Sequence, residues 1–201
     1  MSTLRERLRA LPSFPDDLPV LDTDAAPDDP DELFRAWLDD AIASGARQPQ
    51  AMSLATIETT ASGSDPIVAG GAAAEPTPVA RTLILKDIAE HGYLFSTTRG
   101  SKKSTEVAEH PRASMLFFWR ESGRQVRVTG TVAALSEAVS QADWRERPSY
   151  TGQPNPDWQV YALVPDSFEF MQARLDRKHT RLGYRREAGR WTHAVITTPA
   201  G

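Results

Sequence analysis

Short apolar runs separated by turn residues dominate the middle of this 201-residue chain. Runs rich in β-branched and aromatic residues and bounded by Gly, Pro or Asp are typical of β-strands. In one such run, Gln125, Arg127 and Thr129 would share one face, and Val126 and Val128 the other. We predict strands over 51–57, 81–86, 93–97, 113–119, 124–132, 158–164, 182–186 and 191–197.

Helical segments flank these strands. Asp31 is predicted to cap a helix whose apolar residues, from Leu33 to Ile42, recur at helical spacing. Ser101 is predicted to cap a helix over 102–109, and Ser136 one that reaches about residue 147. Strands joined by hairpins, with helices between some of them, predict a mainly β fold: an antiparallel barrel with peripheral helices. Because the sequence contains neither a Gly-x-Gly-x-x-Gly turn after a strand nor a P-loop, a doubly wound nucleotide-binding fold is not expected.

The first 30 residues differ in composition from the rest. Prolines interrupt positions 12–30, and positions 16–32 hold eight acidic residues and no basic one. We therefore predict an extended or mobile acidic arm over 1–30, with a short helix within 2–10, and a single domain over 31–201. Residues 59–77, rich in Gly, Ala, Ser and Pro, are predicted to form a long exposed loop.

Composition argues against several kinds of site and partner. The chain has no cysteine and four widely spaced histidines, so we predict no disulfide, no cysteine nucleophile and no metal site. No apolar run reaches the roughly 20 residues of a membrane helix, and the charged N-terminus is unlike a signal peptide. We expect a cytoplasmic protein with no membrane partner. The net charge of −4 argues against nucleic acid as a partner.

Cationic residues occur where a buried strand and a helix start are predicted. Arg81 and Lys86 flank a branched apolar run, and an unpaired charge on a core strand is costly. Lys102 and Lys103 follow Ser101 at the start of a helix, where free N–H groups and the helix dipole already attract anions. Two such sites close in sequence predict a phosphorylated small ligand. Solvated strand ends and an exposed basic turn are the alternative.

The spacing of these cations is informative. Arg81 and Lys86 are an odd number of residues apart, so a regular strand would direct their side chains to opposite faces. Either a bulge realigns them or they meet different groups. A third basic segment contains Arg177 and His179, which suit an anionic or proton-exchanging ligand, although a structural histidine is the simpler alternative.

Six motifs, taken in order, resemble the pyridoxine/pyridoxamine 5′-phosphate oxidase family. They are AMSLAT (51–56), RTLILK (81–86), GSKK (100–103), RQVRVTG (124–130), EFMQ (169–172) and RKHTR (177–181). The match runs from about residue 31 to residue 191. This resemblance implies an FMN-binding split β-barrel of Greek-key topology that works as a homodimer, with the flavin at the subunit interface.

The resemblance also implies roles for individual residues. FMN contacts are implied at Arg81, Lys86, Ser96, Thr97, Lys102, Lys103, Gln125, Met171 and Arg181. Substrate contacts are implied at Lys86, Arg147, Arg177 and His179, the last two as catalytic residues beside the flavin. The implied reaction is hydride transfer from an anionic substrate to flavin N5, with reoxidation by molecular oxygen to give hydrogen peroxide. Such a reaction belongs to pyridoxal phosphate biosynthesis.

Departures from the family pattern concern mainly the substrate side. Met171 stands where the family usually has Trp, and Asp143 stands where an aromatic hydroxyl holds the substrate phosphate. A carboxylate there should repel a phosphate unless Arg147 offsets it. The family's segment between about residues 147 and 158 is largely missing. Two alternatives follow: the same flavin scaffold acting on another small molecule, such as a reduced aromatic secondary metabolite, or a non-catalytic flavin or pyridoxal-phosphate binder.

Overall fold

Nine antiparallel strands and four helices make up residues 2–59 and 75–197, the part of the chain that this computed structural model describes. The elements are α1 Leu4–Arg9, α2 Pro30–Ala43, β1 Ala51–Glu58, β2 Thr77–Ile84, β3 Asp87–Ala89, β4 Gly92–Thr98, α3 Lys102–Glu109, β5 Arg112–Trp119, β6 Arg124–Ala134, α4 Glu137–Arg145, β7 Trp158–Gln172, β8 Thr180–Glu187 and β9 Arg190–Val195. The predicted mainly β fold with peripheral helices is confirmed. Most of the predicted loop 59–77 lies outside the described residues. None of the described helices has the length and apolar character needed to cross a bilayer.

The sheet closes into a barrel because one strand changes partners along its length. Strand order along the sheet is β2-β1-β5-β6-β7-β4-β3. β2 pairs with β1, and β3 pairs with β4 at the far end of this order. Between them, the Leu85 N–H donates to the Gln50 carbonyl at 2.9 Å and the Lys86 N–H donates to the Leu94 carbonyl at 2.8 Å. β2 and β3 are therefore two arms of one bent strand that joins the two sides of the sheet.

β7 is longer than predicted. The predicted strand ends at Val164, but the strand continues through Pro165 to Gln172. Pro165 is tolerated because it lies opposite Gly130, where the register with β6 shifts. A Cβ added at Gly130 would lie 2.1 Å from the Val164 carbonyl oxygen, so only glycine fits this close approach. The first half of β7 pairs with β4 and the second half with β8.

α2 begins earlier than predicted. Asp29, not Asp31, is the N-cap: its side chain accepts the Asp31 N–H at 2.9 Å. Pro30 takes the first helical position, where its missing N–H needs no partner. The Asp31 carboxylate instead accepts the hydroxyl of Tyr93 at 2.6 Å, and burial raises the pKa of Asp31. The acid predicted to cap the helix therefore ties the helix to β4.

α2 packs its apolar face on the core of the barrel. The ring of Phe34 is fully buried and lies edge-on to Phe117 and Tyr93, with centroids 4.9 and 5.0 Å away. Trp37 makes a similar contact with Phe170 at 5.3 Å. Such ring pairs contribute about 0.5–1.5 kcal/mol each beyond the area they bury.

The N-terminal residues contact the barrel. α1 forms within the predicted range and carries a capping box at Thr3. The Phe14 ring lies edge-on to His179 at 6.3 Å and to Phe118 at 6.4 Å. The hydroxyl of Tyr184 donates to the carbonyl of Pro27 at 2.8 Å. The N-terminal arm thus contacts the loop that carries His179. The boundary between the arm and the domain at residue 30 stays a prediction.

Phe34→Ala is expected to lower the free energy of unfolding by about 3–5 kcal/mol, because it leaves a cavity among buried rings. Urea denaturation followed by circular dichroism measures this change. Ile42→Ala is the matched control, since Ile42 lies on the same helix and is 57% exposed; its effect should stay within about 0.5 kcal/mol. Equal effects of the two variants would contradict the assigned face of α2.

Candidate functional site

Arg81 forms an ion pair with an acidic residue of α3. Its guanidinium donates to Glu106 Oε2 at 2.6 Å and to the hydroxyl of Thr56. Glu106, on α3, is 4% exposed and also accepts the Thr56 hydroxyl. The cation that the sequence places on a core strand is therefore held by a buried carboxylate, which fixes the direction of the guanidinium.

Lys103 adds a second cation close to Arg81 and Glu106. Its Nζ donates to Thr97 Oγ1 at 2.9 Å. Burial and the nearby Arg81 lower the pKa of Lys103, and Glu106 acts against this. Two cations beside one carboxylate leave surplus positive charge in a half-buried place, where an anionic group would be stabilised. The neighbouring Lys102 lies elsewhere: it is 63% exposed, and its Nζ is 3.8 Å from a carboxylate of β1.

Hydroxyl groups of β4 and of the start of α3 surround these cations. Ser101 occupies the N-cap position as predicted, but its hydroxyl contacts Ser104 at 2.9 Å and Thr97 at 3.2 Å instead of capping a backbone N–H. Ser96 precedes Thr97 on β4, so its side chain points to the opposite face of the strand, and its buried hydroxyl has no hydrogen-bond partner among the described residues. An uncapped helix start and an unpaired buried hydroxyl can both bind polar groups of a ligand.

Lys86 lies in a different pocket. Its Nζ is 3.5 Å from Asp143 Oδ1 on α4, and Asp143 Oδ2 accepts the indole N–H of Trp158 at 2.7 Å. The guanidinium of Arg147 lies 4.1 Å from the centroid of the Trp158 ring. A cavity of about 440 Å³ opens beside these groups. Arg81 and Lys86 thus meet different partners, which is the second of the two possibilities that their odd spacing left open.

Three of the candidates form a row across neighbouring strands. Gln125 on β6 pairs with Met171 on β7, and Met171 pairs with Arg181 on β8. Arg181 donates to Glu169 at 2.6 Å, and Arg127 donates to the same carboxylate at 2.5 Å. Beside the row, therefore, two arginines share the carboxylate of Glu169.

This row and the Arg81 cluster lie on opposite faces of the barrel wall. Gln125 alternates with the fully buried Val126, so the row faces outward. Arg81 shares its face of β2 with Leu83, which packs on the core, and pairs with the fully buried Leu54 of β1. The wall separates the two groups within one copy of the chain. A single ligand can touch both only where the outer row of one copy meets the Arg81 cluster of another.

Arg177 and His179 lie in a tight loop between β7 and β8. The Arg174 N–H donates to His179 Nδ1 at 3.0 Å, so the neutral imidazole carries its proton on Nε2. Asp176 accepts the Arg174 side chain at 2.8 Å and the Lys178 N–H at 3.0 Å, and these bonds lower the pKa of Asp176 to about 2. Arg177 has the left-handed φ of 63°. The loop is thus fixed by hydrogen bonds of its own backbone and side chains.

Sequence reasoning missed the residues that hold the candidates in place. Glu106 could have been found, because it follows Lys103 at helical spacing and so shares its face. Asp176 had a weaker signal, its position beside Arg177. Thr56 and Trp158 carried none, since each meets its partner only through the folded barrel.

The fold, an antiparallel barrel with peripheral helices, is shared by solved structures related to pyridoxamine-phosphate oxidases. One solved structure of this kind, described as a pyridoxamine 5′-phosphate oxidase-related, FMN binding protein of Nostoc punctiforme, aligns with a TM-score of 0.64 at 18% identity, covering 82% of this chain and 97% of its own. The family profile "Pyridoxamine 5′-phosphate oxidase" matches residues 38–172. A second profile, "Pyridoxine 5′-phosphate oxidase C-terminal dimerisation region", matches residues 158–197. The chain belongs to the pyridoxamine 5′-phosphate oxidase family.

Individual relatives agree with this assignment. A pyridoxine/pyridoxamine 5′-phosphate oxidase of Thermosynechococcus vestitus is 34% identical, over 86% of this chain and 90% of its own length. One of Rubrobacter xylanophilus is 33% identical, over 84% and 86%. Among solved structures, PhzG of Burkholderia lata in complex with tetrahydrophenazine-1-carboxylic acid aligns with a TM-score of 0.77 at 25% identity, covering 90% of this chain and 99% of that one.

Replacing both Arg81 and Lys103 by alanine is expected to weaken FMN binding by about a hundredfold or more, because each lost charged contact costs about 1.5–3 kcal/mol. Quenching of flavin fluorescence on titration measures the dissociation constant. Arg112→Ala is the control: it removes an arginine that is 53% exposed and paired with Asp166, and should change affinity by less than about threefold. Unchanged affinity in the double variant would refute the anion site.

Proposed function

We propose that the protein is an FMN-dependent oxidase of a small ring molecule. The observation that carries the proposal is the pair of half-buried cations, Arg81 and Lys103, which lie close together with one buried carboxylate, Glu106; of the two, only Arg81 is bonded to it. Membership of an oxidase family supports the same reading. No nucleic acid or metal enters the proposal, and a cytoplasmic location stays a prediction.

The side chains present fit this cofactor. Arg81 and Lys103 would hold its phosphate, and the unpaired Ser96 hydroxyl supplies a further polar contact. Gln125 and Arg181 of a second copy would complete the site, since they face away from the Arg81 cluster of their own copy. When bound, FMN supplies the hydride acceptor at N5 and passes the electrons to molecular oxygen, which yields hydrogen peroxide.

Arg177 and His179 would orient the substrate. With Nδ1 held by the Arg174 N–H, the neutral His179 presents Nε2–H as a donor to a substrate oxygen or nitrogen. Arg177, in the same hydrogen-bonded loop, supplies a cation of defined position. Together they would keep the reacting C–H bond in one orientation, which is a large part of what a protein contributes to cofactor chemistry.

Two substrate classes remain for this oxidase. The names of the relatives favour pyridoxine or pyridoxamine 5′-phosphate, in which case the enzyme serves pyridoxal phosphate biosynthesis. The ion pair between Lys86 and Asp143 favours a different small molecule, because it occupies the lysine that the family resemblance assigns to a phosphate. PhzG, a structural relative, binds tetrahydrophenazine-1-carboxylic acid, a reduced ring compound without phosphate.

The purified protein is expected to be yellow, and at least one member of a substrate panel should bleach its flavin without air and produce peroxide under air. The panel contains pyridoxine and pyridoxamine with and without 5′-phosphate, and dihydroaromatic carboxylic acids. Absorbance near the flavin maximum and a coupled peroxidase assay provide the two readouts. A protein that binds FMN but is reduced by no compound would instead be a flavin carrier.

Mixed dimers should recover binding that each parent lacks. The variants Lys103→Ala and Arg181→Ala damage opposite faces, so each homodimer contains two weakened sites. A heterodimer of the two combines both defects in one site and leaves the other intact. We expect one FMN per heterodimer with wild-type affinity, measured after co-expression with two different affinity tags. No recovery would contradict a site shared between copies.

A further inference from the structure

The pocket beside Lys86 contains the counter-charge of its own lysine. Lys86 Nζ and Asp143 Oδ1 are 3.5 Å apart, and the two side chains are 33% and 18% exposed. An ion pair this far from bulk water is stronger than one on an open surface, because less solvent screens it. A ligand anion that approached Lys86 would therefore compete with a carboxylate already in place.

Asp143 cannot easily turn away from Lys86. Its other oxygen accepts the indole N–H of Trp158 at 2.7 Å, and Trp158 is 7% exposed on the barrel. The Trp144 ring lies 5.5 Å from the Trp158 ring and donates its own N–H to the Gln153 carbonyl at 2.9 Å. Rotating Asp143 outward would leave the buried indole N–H of Trp158 without an acceptor, which is costly.

Arg147 does not give the cavity a net positive charge. Its guanidinium stacks on Trp158 at 4.1 Å, and its Nε donates to the Ser149 hydroxyl at 3.3 Å. The charged residues that line the cavity are two cations and three acids: Lys86, Arg147, Asp87, Asp143 and Glu146. Their formal sum is one negative charge, so the cavity offers a phosphate dianion no net attraction.

The rest of the lining is apolar. Leu94, Val139, Ala142 and Val160 line the cavity alongside the charged groups. A volume of about 440 Å³ suits a small ring compound. Apolar walls with an internally balanced ion pair favour a ring that presents an alcohol, amine or single carboxyl group over one that carries a phosphate ester.

We propose that the Lys86–Asp143 pair makes this cavity select unphosphorylated ring substrates. The proposal rests on the proposed oxidase function, because that function makes the cavity a substrate site. Asp143 acts as a specificity-determining residue: it neutralises Lys86 and places a carboxylate where a phosphate would have to lie.

The test compares two ligands that differ only in the phosphate: 4-deoxypyridoxine and its 5′-phosphate. Neither has the oxidisable 4′ hydroxyl, so binding can be measured on the FMN-loaded full chain without turnover. Dissociation constants come from equilibrium dialysis and from quenching of tryptophan fluorescence, to which Trp144 and Trp158 contribute. We expect the wild-type protein to bind the phosphate ester no more tightly than the unphosphorylated ring.

Asp143→Asn removes the charge and keeps an oxygen that can accept the Trp158 N–H. It should improve binding of the phosphate ester relative to the unphosphorylated ring by about tenfold or more, about 1.4 kcal/mol. Glu137→Gln is the control. It removes a carboxylate of the same helix, but that carboxylate pairs with Arg99 and does not line the cavity. Its ratio of dissociation constants should match that of the wild type.

Two results would overturn the proposal: tighter binding of the phosphate ester by the wild type, or no relative gain in Asp143→Asn. Failure of the oxidase function is distinguishable from either. FMN content is measured on the same samples, and equilibrium dialysis gives both dissociation constants whether or not flavin is bound. A chain that binds no FMN would disprove the oxidase while still giving the two binding constants.

Discussion

The bend at Leu85 and Lys86 determines the arrangement of both candidate pockets. By continuing from β2, paired with β1, into β3, paired with β4, the bent strand joins the two ends of the sheet order and closes the barrel. The same bend separates the side chains of two cations that are close in sequence. Arg81 precedes it and meets α3, whereas Lys86 lies within it and meets α4. One backbone feature therefore creates two pockets of different chemistry.

The difference between the pockets is one of charge balance. Beside α3, Glu106 pairs with Arg81, and the nearby Lys103 adds a positive charge that suits an anion. Beside α4, Asp143 serves Lys86 alone, and further acids line the cavity. A half-buried cation attracts a ligand anion only when the protein has not already neutralised it. The scaffold can thus keep its cofactor site while its substrate side changes.

Much of the fold was readable from the chain because strand and helix periods are local properties. Most strands and the three main helices follow from alternating and helical spacing. The strand β3 is not predicted, β2 begins at Thr77 within the predicted loop 59–77, and the other errors lie at boundaries. The second half of β7 was not predicted; it contains Pro165, and the irregularity opposite Gly130 that accommodates a proline is visible only in the pairing with β6. The prediction of Asp31 as the helix cap is wrong because its actual partner, Tyr93, is distant in sequence and leaves no local pattern. The candidate residues themselves came mainly from family motifs.

The sequence alone determined the class of fold, the family and the presence of cations on a core strand and at a helix start, because each can be read from short stretches of the chain. Tertiary structure alone decided how those charges are balanced. Glu106 and Asp143 come from helices that the barrel brings against Arg81 and Lys86, and no local pattern announces those pairs. The tertiary structure also places the Gln125 row on the outer face of the barrel, away from Arg81. The charge balance of each pocket, and the side of the barrel wall on which each side chain lies, depend on contacts between distant segments. Such contacts exist only once the barrel has closed.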